Sequence, residues 1–98
     1  MQKYILTQDI GLFSCKAALF SVNGTLIKSN VVHYSPQNSN EGWAWQSPDL
    51  WWSAFCQNCR ILLANIPAKS VVGVSMCGQM MGCLPVDKDL HPICDSIT

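Results

Sequence analysis

The dipeptide Asn23-Gly24 lies between two β-prone, apolar-rich runs, residues 15–22 and 25–34. It is the strongest short hairpin signal a sequence can carry, so the two runs are expected to pair as antiparallel strands. A third apolar run, residues 4–10, ends at Gly11 and reads as a buried strand. Three consecutive strands joined by tight turns make an antiparallel meander. Leu26, Val31 and Val32 are the core candidates of its last strand.

Residues 35–46 hold Pro36, Asn38, Asn40 and Gly42 and read as a loop. Ser47-Pro48-Asp49 then carries three helix-start features: a capping hydroxyl, a proline suited to the first position, and an acid at the positive end of the dipole. The helix is expected to run to about Asn65 and stop ahead of Pro67. Trp51, Ala54, Phe55, Asn58, Cys59 and Leu62 recur on one face, and Trp52, Ile61 and Leu63 widen it. A stripe this broad reads as core. Residues 70–76 form a valine-rich strand, and residues 83–86 and 92–97 flank the polar turn Asp87-Lys88-Asp89-Leu90. The order is β-β-β-α-β followed by a hairpin, an α/β arrangement.

Composition excludes several function classes. Six basic and six acidic residues give no net charge, and the basic residues are scattered, so neither nucleic acid nor a membrane surface is expected as partner. The opening residues lack a signal-peptide pattern, no stretch is long enough to span a bilayer, and the chain reads as cytoplasmic. Its six cysteines are then expected as reduced thiols. Cys56-Gln-Asn-Cys59 lacks the second ligand pair that zinc requires and lies on the expected helix, where packing explains it. The chain is 49% hydrophobic and only 12% charged, which fits a surface partly covered by more protein.

The junction residues narrow the fold. Asp9-Ile10-Gly11-Leu12-Phe13-Ser14-Cys15-Lys16 resembles the first phosphate-binding signature of the actin-like and sugar-kinase ATPases, Asp-x-Gly-Thr-Thr/Ser-x-x-Lys. Gly42-Trp43-Ala44-Trp45-Gln46-Ser47-Pro48 is similar to the Gly-Trp-x-Glu-Gln-x-Pro stretch of FGGY carbohydrate kinases. Cys77-Gly78-Gln79-Met80-Met81-Gly82 resembles the Gly-Gln-Met-His/Met-Gly stretch of their xylulokinase-like branch, and Leu84-Pro85-Val86-Asp87-Lys88-Asp89 the hairpin that follows. These landmarks stand in register along all 98 residues.

The resemblance implies a partial ribonuclease-H-like, actin-like ATPase lobe, with residues 1–98 as the incomplete amino-terminal part of the first kinase domain. It implies transfer of the ATP γ-phosphate to a sugar hydroxyl, a pentulose such as xylulose, with ATP and Mg²⁺ as cofactors. Asp9, Gly11, Ser14 and Lys16 are the implied phosphate and Mg²⁺ positions, with Asp9 holding the metal through water. Gln79, Met80 and Met81 are the implied substrate positions. The catalytic base is expected beyond Thr98, in a carboxy-terminal part of the kinase. No catalytic residue is assigned within the chain, and the chain alone is not expected to turn over ATP.

The chain departs from the family pattern at several points. Leu12 and Phe13 replace small hydroxyl residues that could donate to phosphate. Gln8 stands in a strand expected to be buried, where an unpartnered amide costs about 1–3 kcal/mol. Trp45 stands for a glutamate, Met81 for a frequent histidine, and Leu90 for a glycine in a turn that needs positive φ. These departures keep open a second reading, a truncated or decayed non-catalytic fragment acting at most as an interaction module. A sensor of the same ATPase clan would lack the Gly-Gln-Met landmark.

Overall fold

The computed structural model describes residues 1–39 and 41–97; Asn40, one of the expected loop residues, and Thr98 lie outside them. Strands β1 (Tyr4–Ile10), β2 (Ser14–Ser21) and β3 (Leu26–His33) form the expected meander. After the short strands β4 (Gln37–Asn38) and β5 (Ala44–Gln46) comes helix α1 (Pro48–Leu62), then β6 (Val71–Gly78) and β7 (Ser96–Ile97). The main sheet has the order β3-β2-β1-β6, with β6 parallel to β1 and the other neighbours antiparallel. A smaller sheet has the order β4-β5-β7.

The Asn23-Gly24 signal produces a turn closed by Ser21 N–H donating to Thr25 O at 2.9 Å. Gly24 takes φ +93°, a left-handed conformation that costs glycine little. Alternation along β1 and β2 sends Leu6, Gln8, Cys15, Ala17 and Leu19 to one face, and all five are buried. Helix α1 covers that face with Ala54, Asn58 and Leu62. Leu6, Ala17, Leu19 and Leu62 are the apolar centre, flanked by Tyr4, Cys59, Leu63, Ile66 and Val71. The start of α1 is as expected: the Ser47 hydroxyl accepts from Asp49 N at 3.2 Å, with Pro48 in the first turn.

Four expectations need correction. The helix ends at Leu62 and not near Asn65; Leu63 N–H caps Cys59 O at 3.0 Å and Asn65 is left-handed with φ 65°. Leu26 and Val31 are 55% and 42% exposed and not core, because β3 is an edge strand and alternation turns Val31 away from the helix. Trp52 and Ile61 do not widen the packed face either; both are exposed, since one helix meets one sheet along a narrower stripe than the sequence offers. The stretch 35–46 is not plain loop: its β4–β5 hairpin is held from the far end of the chain by β7, a long-range pairing that local sequence does not show.

The expected final hairpin is present as single bridges, Cys83 to Ile97 and Val86 to Pro92. Leu90 takes φ 66°, so its turn does use the conformation that glycine would fill without strain.

The expected penalty at Gln8 is not incurred. Gln8 is buried, and its Nε2 donates to Phe55 O at 3.1 Å and to Cys59 Sγ at 3.5 Å. Its Oε1 accepts from Cys15 Sγ at 3.2 Å and Asn58 Nδ2 at 3.1 Å. Asn58 also donates to Cys15 O at 3.2 Å and accepts from Asn30 Nδ2 at 2.9 Å. A buried polar network thus ties α1 to β1, β2 and β3, and each amide in it is satisfied. All six cysteines are free thiols, and the described residues hold no group of three or more His, Cys, Asp or Glu suited to a metal. No helix of the described residues is long and apolar enough to cross a membrane.

Candidate functional site

Because β1 and β6 run parallel, their carboxyl ends Ile10 and Gly78 emerge side by side. Ligands in open α/β sheets bind at the carboxyl ends of the strands. Two of the chain's candidate motifs begin there: Gly11 follows β1 and Gln79 follows β6. Gln79 N–H donates to Ile10 O at 2.8 Å and joins the two.

The turn after β1 is a true hairpin. Gly11 N–H donates to Ser14 O at 2.8 Å, and a Cβ on Gly11 would meet that oxygen at 3.1 Å, so a larger residue is resisted by backbone. The Tyr34 hydroxyl donates to Gly11 O at 2.7 Å, and Tyr34 N–H donates to Phe13 O at 2.9 Å, so the end of β3 braces the turn. Burial, reinforced by Cys15 and Asp9 nearby, holds the Tyr34 phenol up to about 12. It therefore serves as a neutral donor.

Asp9 pairs in register with Lys16 on β2 and with Cys77 on β6. Alternation puts Asp9, Ser14 and Lys16 on the face opposite α1. Asp9 and Lys16 are exposed and line a shallow depression of about 380 Å³ with Thr7, Ala18 and Val31. Among the described residues Asp9 makes no salt bridge within 4.0 Å. Hydrogen bonding to the Asp9 carboxylate, ahead of desolvation, pushes the Cys77 thiol up and keeps it protonated. Phe13 projects from the hairpin tip at 62% exposure.

On the helix side of the same strand ends lies a cleft of about 270 Å³, lined by Ile10, Trp51, Gly78, Gln79, Gly82, Leu84 and Ser96. Gln79 Nε2 donates to Gln46 Oε1 at 3.3 Å. Gln79 Oε1 is buried and accepts no hydrogen bond from the described residues. Met80 and Met81 do not line this cleft; they are 86% and 93% exposed on a turn where Met81 takes φ 62°. The structure therefore gathers Asp9, Gly11, Ser14 and Lys16 on one hairpin and brings Gln79 beside it, with the two methionine side chains outside the cleft.

Residues without an expected role complete the site. Gln46, at the end of β5, is fully buried; it donates to Leu12 O at 3.0 Å and accepts from Trp51 Nε1 at 2.8 Å. Tyr34, Asn58 and Trp51 are the other braces. Gln46 lies inside the Gly-Trp stretch, but only its burial reveals the role. For Asn58 the available signal was an amide in the middle of an apolar helical stripe.

Known proteins show the same arrangement of chain. The profile of the FGGY family of carbohydrate kinases, N-terminal domain, matches residues 4–98. The gluconokinase of Bacillus licheniformis is 30% identical over 98 residues, 100% of this chain and 19% of its own length. The xylulose kinase of Staphylococcus xylosus is 26% identical over 90 residues, 92% of this chain and 19% of its own length. The crystal structure of gluconate kinase from Lactobacillus acidophilus superposes with a TM-score of 0.90 at 26% identity, over 100% of this chain and 20% of that one. The chain thus spans about one fifth of the length of the relatives it matches. Its fold is the opening portion of the actin-like ATPase fold that such kinases share, as the sequence motifs implied. With the family profile matched over residues 4–98, the chain belongs to the FGGY family of carbohydrate kinases.

Proposed function

We propose that the chain supplies the first phosphate hairpin and one wall of the sugar cleft of an ATP-dependent sugar kinase. A pentulose such as xylulose is the leading substrate, and gluconate is the alternative raised by the relatives' names. The observation that carries the reading is the meeting of two parallel strand ends, with an exposed carboxylate free of any salt bridge among the described residues before one and a buried, unsatisfied amide oxygen after the other.

ATP would bring the transferable γ-phosphate, and Mg²⁺ would neutralise its charge. The exposed Asp9 carboxylate suits a hydrated cation, and the Gly11 turn lets backbone come close to a phosphate. Lys16, opposite Asp9 in register, adds positive charge on the same face. The Ser14 hydroxyl is the remaining side-chain donor of the turn, since Leu12 and Phe13 have none. Tyr34 holds the turn in shape through Gly11 O. On the sugar side Gln79 faces the cleft, and Met80 and Met81 would reach a ligand only from the adjoining turn. The residues are proposed as the opening part of a larger kinase domain. Strand β6 supports this, since Val72, Val74 and Met76 are all more than half exposed along a free sheet edge.

The test is a chimera. The matched 90-residue segment of the Staphylococcus xylosus xylulose kinase is replaced by this chain, and xylulose-dependent ATP turnover is measured. Turnover that Asp9→Ala lowers by about a hundredfold or more supports the proposal. A chimera that binds xylulose but turns over nothing supports the decayed, non-catalytic form, for which the apolar Leu12 and Phe13 at the hairpin are the specific evidence. The 98-residue chain alone is expected to show no sugar-dependent ATP turnover.

A further inference from the structure

We infer that Gln46 is a positioning residue: it orients the Gln79 carboxamide so that the carbonyl oxygen is presented to the cleft, making this subsite an acceptor for a ligand hydroxyl. The inference rests on the sugar-kinase reading and specifies the polarity of its cleft.

The orientation of Gln46 is dictated by its neighbours. An indole N–H can only donate and a backbone carbonyl can only accept. Trp51 Nε1 lies 2.8 Å from Gln46 Oε1, and Leu12 O lies 3.0 Å from Gln46 Nε2. Turning the Gln46 amide over would set donor against donor at Trp51 Nε1 and acceptor against acceptor at Leu12 O. Oε1 must therefore be the atom that meets Gln79 at 3.3 Å, and Gln79 must offer it Nε2. The opposite orientation of Gln79 would bring two oxygens together.

The consequence falls on the other end of the Gln79 amide. Its Oε1 is buried and has no donor among the described residues, and the side chain lines the cleft. A buried acceptor without a donor is a cost the fold bears unless a ligand relieves it. A sugar hydroxyl can donate; an ionised carboxylate or a sulfate oxygen cannot. The subsite therefore takes a hydroxyl and rejects an acceptor-only anion. Gln46 also holds Leu12 O of the hairpin, so one buried side chain links the turn after β1 to the hydroxyl acceptor.

The test uses the 98-residue chain with isotope-labelled glutamine side chains, D-xylulose as the hydroxyl probe and inorganic sulfate, which carries no O–H at neutral pH, as the acceptor-only probe, read by NMR. Before any addition, one Gln79 carboxamide proton should exchange with solvent more slowly than those of an exposed glutamine, as expected for an N–H held by Gln46. Solvent exchange of both protons as fast as in an exposed glutamine overturns the inference without any variant. D-Xylulose should move the Gln79 resonances, and sulfate should not. Gln46→Met and Gln79→Met should each weaken xylulose binding about tenfold, roughly the worth of one neutral hydrogen bond. The double variant should lose no more than either single one, with folding of each checked by circular dichroism. Additive losses, or wild-type affinity in Gln46→Met, overturn the inference. If Mg·ATP shifts residues 9–16 while xylulose leaves Gln79 unmoved, the inference fails and the kinase reading stands. If neither ligand shifts any residue, the inference falls, and turnover by the chimera decides the kinase reading separately.

Discussion

Strands β2 and β6 flank the same central strand, yet they live in different surroundings. On β2, Cys15, Ala17 and Leu19 are buried under helix α1, and the Gln8–Asn58 network locks the two layers together. On β6, Val74 and Met76 stand in register with Leu6 and Gln8, on the same face as the core, yet each is 53% exposed. The helix sits over β2 and β3, leaving an apolar trough lined by Ile10, Trp51, Trp52, Phe55 and Met76. Trp52 stacks on Phe55 at 5.4 Å along its edge. One half of the sheet is thus covered by the helix. The half that carries Gln79 leaves apolar side chains and a strand edge exposed among the described residues. Stability should reside in the first half and ligand recognition at the seam between them.

The comparison is broken most directly by core truncation. Leu19→Ala, at a fully buried site, should cost about 2–5 kcal/mol in urea unfolding. A smaller value would mean that the helix-covered half is not the stable one. Asn58→Ala should cost about 2–3 kcal/mol, because Gln8 Oε1, Cys15 O and Asn30 Nδ2 each lose a buried partner. A near-neutral result would show that the polar network contributes little.

An effect of intermediate size concerns pH. Burial raises the Cys15 and Cys59 thiols above their ordinary range and the Tyr34 phenol to about 12. Each is then more protonated in the folded chain than in the unfolded one. Their contribution is fully present below the ordinary thiol and phenol values, and it is lost as pH rises through the folded values toward 12. Melting temperature should therefore fall on the alkaline side, and Tyr34→Phe should flatten the last part of that fall. A melting temperature that rises there contradicts the buried, neutral assignment.

Ser47→Ala should cost about 1 kcal/mol through loss of the cap on Asp49 N. The smallest effect belongs to the open half. Val74→Lys should change stability by less than about 0.5 kcal/mol, and it should reduce self-association on gel filtration by placing charge on a bare edge. A large loss of stability would mean that β6 is packed as firmly as β2.

How much of this was legible in the residues follows from the range of each interaction. The meander, the helix start at Ser47 and the strained turn at Leu90 were readable, because turn chemistry and capping act over a few neighbours. The hairpin carrying Asp9, Gly11, Ser14 and Lys16 was readable from its motif. The fate of Gln8 was not, since its four partners come from β2 and α1, up to 51 positions away. Nor was the exposure of Leu26 and Val31, which depends on β3 taking the edge.

Local pattern thus determined which segments became strands and helix, and motif determined which residues stand at the strand ends. Only the assembled fold decided that Gln46, on a two-sheet junction 33 positions before Gln79, would govern how that amide faces the cleft. Hydrogen-bond polarity in a buried site depends on which donors and acceptors meet in space. That meeting is a property of the packed chain, not of any window along it.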